Sequence, residues 1–202
     1  MAETTIALQK RAQQFQQAVS SGDWQKALIA INALLEATPG EVSLLYNRAL
    51  VLKNLMKPED ARKAFEGVLD QYDGHLKARF ELASIYLEMN AFDKAIQHLS
   101  NYLTSRPDDG DALLNIGNAY LYSNQVQTAR DFLSKAHTIL NSELSAQSLA
   151  IAERDCGNLD ACNDLLDGLP HSPEMAATRL KIQTQGPKGC LKLAVSGFHP
   201  TR

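Results

Sequence analysis

The chain is poor in the features that mark several large classes of protein. It has no basic excess: 20 Lys and Arg stand against 23 Asp and Glu, for a formal net charge of −3 and an isoelectric point of about 5.9. Nucleic-acid binders usually show a basic excess or stripe, and binders of anionic membranes carry basic amphipathic helices, so neither partner is expected. No stretch approaches the roughly 18 uninterrupted apolar residues of a membrane span. The first ten residues, Met1 to Lys10, lack a basic region followed by an apolar run. No secretory signal is read there, and the cytoplasm is the expected compartment.

Reactive groups are equally sparse. Three cysteines, Cys156, Cys162 and Cys190, are too few and too unevenly spaced for a disulfide framework or a zinc signature. Cys162 is expected to act as a small buried apolar residue. The histidines, His75, His98, His137, His171 and His199, form no metal-binding pair with one another or with cysteine. His98 and His137 are expected to face outward. Gly186-Pro187-Lys188-Gly189 lacks the preceding strand and following hydroxyl of a phosphate loop. Asp155, Asp160 and Asp164 read as a solvated helix face and turn. No nucleophile, base and orienting group come together, so neither enzyme activity nor a metal or cofactor is expected.

What the chain has is a repeat. Ala27, Ala61, Ala95 and Ala129 follow one another at 34 residues, and Cys162 continues after 33. Mostly small residues recur earlier in each unit, at Phe15, Ala49, Ala83, Gly117 and Ala150. Trp24, Pro58, Phe92, Val126 and Leu159 recur at a third place. Ile31, Phe65, Leu99, Leu133 and Leu166 lie four beyond the Ala/Cys series, and Leu34, Val68, Tyr102, Ala136 and Leu169 three further on. Spacings of three and four put these residues on one stripe of a helix. Between the two halves of each unit sit Gly22, Met56, Asn90, Asn124 and Gly157. Gly and Asn accept the left-handed backbone that ends many helices.

Each unit therefore predicts two amphipathic helices joined by a tight turn. The units fall at 8–41, 42–75, 76–109, 110–142 and 143–170. Pro39 and Pro107 mark breaks between units, because proline interrupts a helix interior. Ser172-Pro173-Glu174 predicts the start of a terminal helix over 173–184. The array spans 8–185, between an N-terminal tail, 1–7, and a non-repeat tail, 186–202; capping of the last helix is favoured for that tail, with a mobile terminus that touches a partner and the stub of a longer architecture as open alternatives.

This period and pattern resemble the tetratricopeptide repeat family. The likeness is closest in Leu113-Leu114-Asn115-Ile116-Gly117-Asn118-Ala119-Tyr120, followed by Ala129, Leu133 and Ala136. It is nearly as close in Leu82-Ala83-Ser84-Ile85-Tyr86, with Ala95, Leu99 and Pro107. Gln14, Arg48 and Glu153 depart from the family pattern, which expects apolar or aromatic residues there. The resemblance implies an all-α fold, a right-handed α–α superhelix (TPR solenoid) of about five helical hairpins plus a terminal helix. It also implies a concave groove lined by the first helix of each unit.

Carried onto this sequence, the groove residues are Tyr46, Asn47, Lys77, Phe80, Glu81, Ser84, Asn115, Asn118 and Tyr122. Ser43, Leu50, Lys53, Leu87, Asp111, Leu114 and Leu121 join them at the same helical positions. Some family members clamp the C-terminal tail of a heat-shock protein with Lys, Asn and Arg. Here the matching places carry Ala12, Gln16, Asn47, Lys77 and Glu81, and Glu81 would repel a carboxylate, so that clamp is not expected. The expected function is a protein-binding adaptor or scaffold holding an extended peptide or helix of another protein in its groove. Two alternatives stay open: a self-assembling structural repeat protein forming a homo-oligomer, or the regulatory repeat region of a larger enzyme such as a glycosyl- or sulfo-transferase.

Overall fold

The computed structural model describes residues 2–185, with side chains from residue 6 onward. The 186–202 tail, with Cys190, His199 and the Gly186-Pro187-Lys188-Gly189 motif, lies outside the described residues. Among the described residues the fold is all-α. Its first helices are α1 (Ala2–Ser20), α3 (Val42–Asn54), α5 (Leu76–Glu88), α7 (Gly110–Tyr122) and α9 (Glu143–Cys156). Each is followed by a second helix: α2 (Trp24–Ala37), α4 (Pro58–Gln71), α6 (Phe92–Ser105), α8 (Val126–Leu140) and α10 (Leu159–Asp167). A terminal helix, α11 (Pro173–Thr184), completes the series.

The turn inside every hairpin has one geometry. Gly22, Met56, Asn90, Asn124 and Gly157 all have positive φ, from 56° at Met56 to 92° at Gly157. At each, two backbone bonds close the preceding helix. In the first hairpin Gly22 N donates to Val19 O and Asp23 N to Ala18 O; in the second Met56 N donates to Lys53 O and Lys57 N to Leu52 O. This pair of bonds satisfies carbonyls that the end of a helix leaves orphaned, and it requires a left-handed residue. The residue two places on opens the next helix, so Trp24, Pro58, Phe92, Val126 and Leu159 are all first residues of second helices. Pro58 suits that place because its missing N–H has no intrahelical partner there.

The first helices α3, α5, α7 and α9 are capped by side chains. His75 Nδ1 accepts from Ala78 N in α5, Asp109 from Ala112 N in α7, and Ser142 from Ser145 N in α9. The periodic alanines Ala27, Ala61, Ala95 and Ala129 are fully buried, as are Ile31, Phe65, Leu99, Leu133 and Leu166. Cys162 is buried with them. The small-residue series sets how closely the two helices of a hairpin approach. Ala49, Ala83 and Ala150 are fully buried. At Gly117 a Cβ would stand 2.6 Å from Leu133 Cγ, so the Leu133 side chain occupies the space a Cβ would need and must shift to admit one.

The chain divides into two compact units, Met1–Pro107 and Asp108–Arg202. In the first, α3 packs on α2 and α5 on α4. Arg48 Nε donates to Asn32 Oδ1 at 2.9 Å, and the Tyr86 hydroxyl donates to Glu66 Oε1 at 2.5 Å. Arg48 therefore fills an apolar position of the pattern with a hydrogen bond to the preceding hairpin. In the second unit, α9 packs on both α8 and α10, and α11 lies on α9. Buried Arg154 donates to Ile182 O at 2.6 Å and pairs with Asp155 at 2.7 Å. Arg179 reaches back to the carbonyls of Leu166 and Leu169. These two arginines anchor α11.

Four expectations need correction. Residues expected as a tail before position 8 belong to α1, which starts at Ala2; the stretch holds no Gly or Pro to stop a helix. His98 and His137 are half-buried rather than outward-facing. His98 stacks on Tyr86, and His137 Nδ1 lies 3.0 Å from the buried Ser145 Oγ. Asp155 is not solvated, because Arg154 draws it inward, whereas Asp160 and Asp164 are exposed. Leu114 is only 5% exposed and lines no groove, since α8 and α9 pack around α7 in the second unit.

Candidate protein-binding surface

In the first unit the site is built on α3 and α5. Tyr46 packs edge-on against the buried Phe65 ring at 5.9 Å and lies 4.7 Å from the His75 ring. Tyr72 approaches His75 edge-on, with ring centroids 6.3 Å apart. His75 is held in place by its own cap bond to Ala78 N, 3.1 Å long. Tyr46, Tyr72 and His75 wall a cleft of about 490 Å³, lined also by Val42, Ser43 and Asn47 of α3 and by Lys77 of α5. Burial, and then the nearby Glu81 carboxylate, push the Tyr46 phenol up, so its hydroxyl stays neutral.

The rest of the α5 face is partly committed. Glu81 pairs with Lys53 at 2.7 Å, joining α5 to α3 and cancelling its charge. Phe80 packs on the Tyr102 ring at 5.4 Å, and the Ser84 hydroxyl donates to the Phe80 carbonyl at 3.2 Å. In the second unit Asn115 and Asn118 are half-buried on α7, and Tyr122, at the end of that helix, is 72% exposed.

The structure thus gathers Tyr46, Asn47 and Lys77 around one cleft and sets Phe80, Glu81 and Ser84 further along α5. Asn115, Asn118 and Tyr122 lie in the other unit. Sequence reasoning missed Tyr72 and His75, which flank the α4–α5 turn. Their signal was a departure from the repeat: one step away, the place of Tyr72 holds Thr38 or Arg106, and that of His75 holds Glu41 or Asp109. The cleft offers aromatic faces, an amide and one ammonium. These groups hold a polypeptide through apolar contact and amide hydrogen bonds.

Paired helices recurring at a fixed step, with one shared turn geometry, define a helical repeat protein. The chain belongs to the tetratricopeptide repeat family: one family model matches residues 13–74 and 80–140, and a second matches 57–102. It is similar to the anaphase-promoting complex subunit CDC16 of Saccharomyces cerevisiae, with 26% identity over 162 residues. That match covers 80% of this chain and only 18% of the yeast protein. Solved structures share the fold. A tetratricopeptide repeat protein from Parabacteroides merdae superposes with a TM-score of 0.78 at 20% identity, over 87% of this chain and 72% of that one. MamA from Desulfovibrio magneticus RS-1 gives 0.77 at 17% identity, over 85% and 94%. The family and fold make the chain a protein-interaction scaffold in general type. Among the described residues, no helix is long and apolar enough to cross a membrane.

Proposed function

We propose that this chain is a non-enzymatic adaptor that seats an extended or helical segment of another protein against its first helices. The cleft between α3 and α5 is the principal seat in the first unit, and Asn115, Asn118 and Tyr122 of α7 supply contacts in the second. The observation that carries this reading is the Tyr46–His75–Tyr72 aromatic cluster, whose Tyr72 ring is 56% exposed beside Asn47 and Lys77. Rigid aromatics with few rotatable bonds are the side chains that anchor interfaces at least entropic cost. The Lys53–Glu81 pair leaves this face without a dominant sign, which suits a partner of mixed composition. The same reading assigns the protein to the cytoplasm.

The test compares partners recovered by affinity purification with the wild type and with a Tyr72→Ala/Lys77→Ala variant. Both side chains are exposed, so the variant folds. Loss of a specific partner is expected. A partner retained equally by both proteins assigns binding to another surface. Self-association is the second reading, favoured by Ile29, a second-helix residue exposed at a position held elsewhere by Lys63, Gln97 and Asp131. A mass that rises with concentration in light scattering, and falls for Ile29→Lys, distinguishes it.

A further inference from the structure

Two successive hairpins build the same aromatic stack from different residues. Tyr86 of α5 stacks on His98 of α6 with ring centroids 5.5 Å apart and planes at 20°. One repeat later, Tyr120 of α7 stacks on Phe132 of α8, also at 5.5 Å, with planes at 14°. A phenyl ring therefore serves the packing fully, and the imidazole adds nothing to it. The imidazole does carry a liability: His98 Nδ1 is buried and makes no hydrogen bond. A buried polar atom without a partner costs stability, and a charged one costs more.

The charges around His98 come from each element packed on it. Lys94 of its own helix sits 5.3 Å from the centre of the Tyr86 ring. Arg79 of α5 is buried and also acts on the imidazole. Two carboxylates face it as well, Glu66 of α4 and Asp73 of the α4–α5 turn, but both are already engaged. Glu66 is held by Arg62 at 2.8 Å and by the Tyr86 hydroxyl, and Asp73 is held by Arg79 at 2.6 Å. A proton added to His98 would meet two nearby cations, and its Nδ1–H would have no acceptor.

We propose that the α5–α6 hairpin is an acid-sensitive element, in which protonation of His98 breaks the Tyr86 stack and loosens α6 from α5. Because α5 also carries Lys77, Phe80 and Glu81, and Phe80 packs on Tyr102 of α6, loosening disturbs the surface assigned to partner binding. The acid response of the hairpin stands whether or not that assignment does.

The direction in pH follows from burial, chiefly, and then from Arg79, which together hold His98 below its ordinary value of 6.5 in the folded chain. The unfolded chain takes up the proton first, so the stabilisation is complete above pH 6.5 and is lost as pH falls toward the folded value. The carboxylates Glu66 and Glu41 are held below 4.5, so they titrate in a lower window. Urea unfolding of the wild type and of His98→Phe, from pH 7.5 to 5, isolates the effect. The ratio of the wild-type to the variant folding constant is expected to fall by up to about 30-fold across that range. Parallel profiles for the two proteins overturn the proposal. If the phenylalanine variant misfolds, a measurement on the wild type alone tests the same direction: the His98 ring, followed by NMR, titrates below its ordinary value of 6.5, whereas titration at 6.5 or above refutes the proposal. Neither result depends on a binding partner.

Discussion

Met56 is the one hairpin-turn residue that is neither Gly nor Asn, and it offers a sharp test of the turn argument. Its φ is +56°, and its side chain is 85% exposed. A left-handed backbone costs a residue with a Cβ about 1–2 kcal/mol. Replacing Met56 with Gly removes that cost. Two smaller terms oppose the gain: the freer unfolded chain, worth about 0.4–1 kcal/mol, and the little burial that the methionine has, worth a few tenths of a kcal/mol. The expected net stabilisation is about 0.5 kcal/mol. Met56→Ala is the control, because it removes the long side chain and keeps the Cβ in the strained region. The Gly variant should exceed the Ala variant by about 1 kcal/mol. Urea unfolding followed by circular dichroism, with the slopes compared to confirm a common transition, measures the difference. An Ala variant as stable as the Gly variant would refute the reasoning, since it would mean the turn stores no strain at this position.

Other outcomes follow from single contacts. Gly117→Leu should cost about 3 kcal/mol by forcing α8 off α7, whereas Gly117→Ala should cost far less, because other hairpins carry Ala at that place; thermal melts rank the two. Arg154→Met removes the buried bond to Ile182 and leaves Asp155 unpaired, so it should cost about 3 kcal/mol; hydrogen exchange should show the loss of protection concentrated in α11. The Lys53–Glu81 pair is partly exposed, and a double-mutant cycle with alanines should give a coupling below about 1 kcal/mol that shrinks in high salt.

Much of this architecture was legible in the sequence because it rests on local rules. The 34-residue step placed the helices. The Ala series marked where two helices touch, since only a small side chain fits there. The turns followed from backbone chemistry, and Met56 took the geometry of its Gly and Asn counterparts because the closing hydrogen bonds demand it. The terminal helix was readable from Ser172 and Pro173, an N-cap and a first-turn proline.

What each surface side chain is committed to was not legible. The sequence placed Glu81 on the first-helix face, and only the packing of α3 beside α5 showed that Lys53 neutralises it. It read His98 as outward, and only the approach of Tyr86 showed the stack. The cleft joins residues 42–47 to residues 72–77, across a separation no local pattern spans. The physical reason is one of range. Helices and turns are fixed by interactions within a few residues along the chain, and each hairpin core by contacts inside one repeat. The surface between hairpins depends on where whole helices come to rest, and side chains from distant segments meet only there.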